Sequence, residues 1–235
     1  FRERETINDI MEETCGARLT MNYMVPGGVM FDLHPNFQRR VKDFIKLFKS
    51  KIDEYDDLVT GNIIFQNRTK GIGILSKEDA ISYGCTGPVG RASGVHCDVR
   101  KLYPYEVYDK LQFDEIIETA GDSFARYLVR IREMRQSIHI IEQLIDNIPE
   151  GDFQAKTKAV LKLPRGEFYT RVETARGELG VYIVSEGGTT PYRIKFRSPG
   201  FSNLSALDHM ARGSKIGDLM ATMGTLDLVI PDIDR

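Results

Sequence analysis

Apolar side chains recur at three- and four-residue steps between Asp122 and Ile148, at Phe124, Tyr127, Leu128, Ile131, Met134, Ile138, Ile141, Leu144, Ile145 and Ile148. That spacing lays an apolar stripe along one side of a helix. Asp122 can cap its start, and Pro149 stops it. At 1.5 Å per residue such a helix is about 40 Å long, so neighbouring segments must pack along it to cover the stripe. Its other face carries Arg126, Arg130, Arg132, Glu133 and Glu142. This predicts a core helix with a solvated back; a basic face docked on a partner, or lining a buried polar path, is the alternative.

The same periodicity places a helix over residues 1–14, with Ile7, Ile10 and Met11 on one side and Gly16 as its stop. No cap precedes it, which leads us to expect a natural chain that continues upstream. Pro26-Gly27-Gly28 marks 18–28 as irregular. A second helix begins at Pro35, carries Phe37, Val41, Phe44, Ile45, Phe48 and Ile52, and ends near Thr60. Residues 63–75 are mixed. Ser76 followed by Asp79 signals a short helix that ends by Gly84. Gly84 to Gly94 holds four glycines and a proline, which predicts a tight loop packed closely on other backbone. Residues 101–113, with Tyr103, Tyr105 and Tyr108, read as an aromatic extended segment covering the core, and 151–164 as a polar connection. Residues 167–173, 178–185 and 192–197 alternate as an antiparallel three-stranded meander, and two short helices follow at 204–210 and 215–223. No repeat or linker interrupts the chain, so a single domain over 1–235 is expected, mainly α (α+β).

Composition narrows the function classes. Hydrophobic residues make up 41% of the 235 positions, enough for a sizeable core. With 32 basic and 34 acidic residues the net charge is −2, and no excess of cations points to nucleic acid or an anionic membrane surface. No apolar run approaches the roughly 20 residues that cross a bilayer. Cys15, Cys85 and Cys97 lack C-x-x-C spacing, which argues against a disulfide framework and a cysteine-ligated metal site and fits a reducing compartment.

Ordinary catalytic patterns are weak. His34, His96, His139 and His209 form no H-x-x-x-H or H-E-x-x-H pair, and no G-x-S-x-G elbow occurs. His96 and Cys97 are neighbours, but adjacent side chains of an extended segment face opposite ways, so they read as two packed residues. The Gly84–Gly94 loop lacks the Gly-Lys-Ser/Thr of a phosphate cradle. Three features combine conformational freedom with charge: that loop, Arg176-Gly177-Glu178, and the acidic segment from Asp227 to Arg235.

Long stretches carry a resemblance that runs in order through the whole chain. Phe1-Arg-Glu-Arg-Glu5, Tyr23-Met-Val-Pro-Gly-Gly-Val29, Arg91-Ala-Ser-Gly-Val95, Asp98-Val-Arg-Lys101, Tyr103-Pro-Tyr105, Val129-Arg-Ile-Arg-Glu-Met-Arg-Gln136, Ala175-Arg-Gly-Glu-Leu-Gly180, Pro191-Tyr-Arg193, Gly224-Thr-Leu-Asp227 and Asp232-Ile-Asp-Arg235 resemble the D subunit of respiratory complex I, the NADH:quinone oxidoreductase. The resemblance implies a fold like the large subunit of nickel-iron hydrogenases, a bundle of long helices with a small sheet. There a C-terminal Asp-Pro-Cys-x-x-Cys-x-x-His holds the nickel-iron centre. Here Asp227 keeps the acid, Val229 and Asp232 stand at the cysteines, and Arg235 stands at the histidine. Valine supplies no ligand and nickel-iron chemistry needs soft thiolates, so hydrogenase activity is excluded on ligand grounds.

The resemblance further implies that Asp227, Val229, Asp232 and Arg235 wall a cavity in which a quinone headgroup is reduced. The chain itself would bind no cofactor, and the neighbouring four-iron-four-sulfur cluster would belong to the B subunit. Arg18 and Thr20 would lie next to that cluster. Many members carry histidine where Thr20 stands, and losing a protonatable imidazole predicts a low-potential cluster and a menaquinone-type acceptor. The family's quinone-binding His and Tyr lie upstream of Phe1, so this sequence is expected to be the C-terminal portion of a longer subunit, inactive alone. Expected partners are the B and C subunits and quinone, with no nucleic acid, and membrane contact only through the complex at the cytoplasmic face of the bacterial inner membrane. The short 151–164 connection leaves the donor open between NADH, ferredoxin and reduced deazaflavin, and a non-catalytic scaffold is the alternative role.

Overall fold

The structure is a computed structural model that describes residues 1–158 and 160–234. As the hydrophobic pattern suggested, it is mainly helical with one three-stranded antiparallel sheet near its C-terminus. α1 (Arg2–Cys15) stops where Gly16 turns left-handed at φ 74° and its amide reaches back to Glu12 O. The 18–28 stretch is not wholly irregular: Met24–Val25 (β1) and Gly28–Val29 (β2) pair as a short ribbon around Pro26-Gly27, with Gly27 at φ 96°. α2 (Phe37–Tyr55) begins two residues later than Pro35 suggested and runs on through a π-turn to Thr60. α3 (Ile63–Asn67), capped by Asn62, gives the mixed stretch a helical turn. α4 (Lys77–Ser82) starts on the Ser76 cap, whose oxygen accepts from Asp79 N.

The glycine-rich segment differs from expectation. α5 (Gly87–Ala92) lies inside it, buried at every position, because Pro88 suits a first turn and the flanking glycines let it approach other backbone. The tyrosine-rich segment is likewise not extended throughout. α6 (Val99–Leu102) opens it and a 3-10 turn at Tyr108–Lys110 follows, while Tyr103 stays exposed rather than covering the core.

α7 (Ser123–Leu144) is the axis of the molecule, shorter at its end than the pattern to Ile148 suggested. Asp122 fixes its start: one oxygen accepts from Ala125 N at 2.7 Å, the other from Gly71 N at 2.8 Å. α7 packs antiparallel on α2, and Ile131 and Ile138 bury with Ile45 and Ile52. At about 2 kcal/mol per buried isoleucine side chain, this seam is a main source of apolar stabilisation. A second core gathers Leu75, Ala80, Cys85, Val89, Ala206, Met210 and Leu226.

The sheet is β3 (Gly166–Thr174), β4 (Gly177–Ser185) and β5 (Arg193–Arg197), in that order, with the tight turn Ala175-Arg176 set by the Thr174↔Gly177 pair. Four helices follow instead of two: α8 (Pro199–Ser205), α9 (Leu207–Ala211), α10 (Ile216–Leu226) and α11 (Ile230–Ile233). Among the described residues no helix is long and apolar enough to cross a membrane.

Candidate functional site

The three features that combined freedom with charge meet in one place. Gly87, at φ 65°, lies so close to the β3–β4 turn that an added Cβ would sit 2.5 Å from both Arg176 O and Gly177 Cα. Thr86 Oγ1 accepts from Glu178 N at 3.1 Å and from Arg197 Nη1 at 2.9 Å. Asn203 of α8, without solvent exposure, joins both sides: its Nδ2 donates to Arg176 O and its Oδ1 accepts from Thr86 N. Held this way, Arg176 donates from Nε to Asp227 O at 2.9 Å and from Nη2 to Asp227 Oδ1 at 3.4 Å. Asp227 ends α10 in the left-handed region, φ 55°, a conformation that aspartate tolerates better than most residues.

Asp227 and the β3–β4 turn open on a cavity of about 500 Å³. One end is charged. Arg91 of α5, 2% exposed, pairs with Glu133 of α7 at 2.7 Å and with Glu173 of β3 at 2.8 Å. Arg100 forks onto the Asp98 carboxylate at 2.9 and 2.7 Å. Burial works against the charge on Arg91, yet Glu133 and Glu173 outweigh it and hold its pKa above the ordinary arginine value. Burial also pushes the Glu133 and Glu173 carboxyls above their usual range, against the pull of Arg91.

The polar face of α7 is therefore not a solvated back. Arg132 and Glu142 remain exposed, but Arg126 has no exposure and Glu133 sits inside the cavity wall. Arg126 donates to Gly121 O, Gly73 O, Ser123 Oγ and Thr225 Oγ1 at 2.9–3.0 Å, and burial pulls its pKa down to about 10. Arg126, Arg130 and Glu133 are spaced as one stripe, and small apolar Ala125 and Val129 are also buried on that side. Apolar positions flanking the polar stripe were the available sign that this side of α7 is buried.

The remaining expected site residues fall in different surroundings. Val229 is half-buried and leads into α11. The Asp232 carboxylate accepts from Ser198 Oγ and from Gly200 N at 3.1 Å, so it is turned to the start of α8 rather than to the cavity. Arg235 lies outside the described residues. Arg18 is held by Glu5, Asp9 and Glu12 of α1, and the hydrogen bonds to those carboxylates raise its pKa; Thr20 is exposed.

Cys85 and Cys97 are buried, and burial pushes their thiols up to about 11 and about 12, so neither is a ready thiolate ligand. Among the described residues no three His, Cys, Asp or Glu side chains gather in a way that could hold a metal ion. His96 is exposed and contacts Glu115 at 3.0 Å while Cys97 points inward, as their adjacency implied.

A helical axis with a buried cationic face, a small sheet, and a glycine-spaced turn against Asp227 define a mainly helical protein with a charged cavity. The model of the family described as "Respiratory-chain NADH dehydrogenase, 49 Kd subunit" matches residues 1–161 and 157–235, and the chain belongs to that family. It is 59% identical over its whole length to the C/D protein of the NADH-quinone oxidoreductase of Bacteroides thetaiotaomicron, of which it covers 44%. It is 47% identical to the D 2 protein of the same enzyme in Solibacter usitatus and 44% identical to the D protein in Bacillus mycoides, in each case covering 64% of the relative. The chain thus spans less than two thirds of the length of these relatives.

Proposed function

We propose that this chain forms one wall of the quinone-reduction cavity in the peripheral arm of an NADH:quinone oxidoreductase, beside a terminal four-iron cluster held by the B subunit. The observation that carries the reading is the Arg176–Asp227 contact at the rim of a cavity lined by buried charge, pinned by Gly87 and Asn203. Beyond Asp227 the Val229–Asp232 turn follows in sequence, with an aliphatic residue and a carboxylate committed to α8 where a hydrogenase would present thiolates. The cluster, when bound to its own subunit, supplies single electrons. What this chain does is shape and charge the space: Arg176 fixes the backbone that carries Asp227, and Arg91 and Arg130 keep positive charge at the cavity wall. Thr20, exposed and neutral, offers no protonatable group to a neighbouring cluster, which favours a low potential and a menaquinone-type acceptor. The complex would sit at the cytoplasmic face of the inner membrane, with the B and C subunits as neighbours.

The test is Val229→Phe in the assembled complex. Quinone reduction is expected to fail while electron transfer from the donor to a water-soluble artificial acceptor continues. Normal quinone reduction by a fully assembled Val229→Phe complex would favour a scaffold role. A redox titration that finds a high-potential, strongly pH-dependent terminal cluster would defeat the menaquinone assignment.

A further inference from the structure

α8 is short, yet it reaches both ends of the 227–232 segment. Its start holds the far end. Asp232 Oδ2 accepts from Gly200 N at 3.1 Å and from Ser198 Oγ, and that buried hydroxyl oxygen accepts in turn from Phe201 N at 3.3 Å. The approach leaves no room for a side chain on the helix, since a Cβ added at Gly200 would sit 2.7 Å from the same Oδ2. One turn further along, Asn203 holds the near end through an intermediary. Its Nδ2 donates to Arg176 O at 3.3 Å, and Arg176 carries the tie on to Asp227 O and Asp227 Oδ1.

Neither anchor is what packing alone would select. Asn203 has no solvent exposure, and burying an amide is costly unless its hydrogen bonds are made. An apolar side chain there would fill the space and bind neither Arg176 O nor Thr86 N. What the anchors hold is a segment that needs holding. Asp227 keeps φ 55°, a conformation that persists only where its surroundings fix it. Val229, between the two anchored carboxylates, has no polar side-chain atom with which to fix itself, so its position follows from theirs.

We propose that Ser198 and Asn203 are positioning residues, and that α8 clamps the 227–232 segment at two points so that Asp227 and Val229 stand correctly toward an arriving quinone. The clamp rests on the quinone reading above and adds to it the element that sets the geometry of the wall. Neither residue touches the substrate: Ser198 acts through Asp232, and Asn203 acts through Arg176 on Asp227.

The experiment measures quinone turnover per assembled complex in Ser198→Ala and Asn203→Ala. Each is expected to lower it about tenfold while reduction of a water-soluble artificial acceptor continues unchanged, because small misplacements at a reacting centre are costly. Since Asn203 acts through Arg176, adding Asn203→Ala to Arg176→Met should cost no more than Arg176→Met alone. Ser205→Ala, on the same helix with its hydroxyl donating to Ser202 O, should leave turnover as it is. Normal turnover in either clamp variant would overturn the proposal, and so would a reduced amount of complex that turns over normally, the mark of a purely structural role. Multiplied losses in the Arg176→Met background would overturn the route through Arg176, and an equal loss in Ser205→Ala would overturn the two-point clamp. Should Asn203→Ala not assemble, Ser198→Ala decides alone. Val229→Phe keeps the two ideas apart: normal quinone reduction there defeats the cavity wall, whereas a block there beside normal clamp variants defeats the clamp only.

Discussion

Gly87 and Gly84 offer a matched pair for measuring how tightly the glycine-rich segment is held against the β3–β4 turn. Both are left-handed, at φ 65° and 66°, so replacing either with alanine costs about 1–2 kcal/mol of backbone strain. Only Gly87 also faces other backbone: its added Cβ would lie 2.5 Å from Arg176 O, whereas nothing lies within 4 Å of one at Gly84. Backbone cannot swing aside as a side chain does, so Gly87→Ala adds an overpacking cost of about 1–3 kcal/mol. The expected loss is therefore about 2–5 kcal/mol for Gly87→Ala against about 1–2 for Gly84→Ala. Urea denaturation read by circular dichroism gives both values, and in the assembled complex Gly87→Ala should also depress quinone reduction by displacing Arg176 from Asp227. Equal destabilisation by the two variants, to within about 0.5 kcal/mol, would show that the close approach carries no energy and refute the reasoning.

Other outcomes follow from the same geometry. Arg91→Met strands Glu133 and Glu173 and should destabilise by about 3–5 kcal/mol near neutrality. Both carboxyls already sit above their ordinary value of 4.5 in the folded state and rise further without Arg91, so the folded protein binds more protons than the unfolded chain. The variant's unfolding free energy should accordingly fall as pH rises from about 5 to 8, a slope measurable by denaturation at several pH values. Asp122→Ala removes the α7 cap and the acceptor for Gly71 N together, for an expected loss of about 2–4 kcal/mol in the same assay. Iodoacetamide at pH 8 followed by mass spectrometry should modify Cys15 in the native protein and leave Cys85 and Cys97 untouched until unfolding, since burial removes both access and thiolate.

Periodicity served well where one face of an element is apolar and the other is not. The three strands and the two long helices lie within a few residues of their expected limits because alternation and the 3.6-residue repeat report one-sided burial directly. α5 was hidden because four glycines argue against a helix, and only the tertiary fit to Arg176-Gly177 makes their lost chain entropy worthwhile. The site was legible as separate pieces. Gly87, Arg176 and Asp227 could each be singled out, but nothing in a linear sequence brings positions so far apart into contact. Glu133 and Arg130 were misplaced on water because a charged residue's neighbours, not its own chemistry, decide whether it is buried.

Burying Arg91, Arg126 and Arg130 along one side of α7 is not an efficient way to hold a helix. Desolvating a guanidinium costs several kcal/mol, and well-packed apolar residues of similar volume commonly serve stability as well or better. Arg126 shows the cost directly, since its neighbours are carbonyls and hydroxyls and burial pulls its pKa down to about 10. Cations kept at such expense set a potential. Under the proposed reading, positive charge behind Asp227 would lower the free energy of negative charge arriving nearby more than the same charge at an open surface. The carboxylates that balance it, Glu133 and Glu173, are raised toward protonation by burial, and in the proposed quinone site they would accompany an arriving electron with proton uptake. A pure scaffold would need neither, which is why the proposed reading puts an electron-accepting site here rather than a structural role alone.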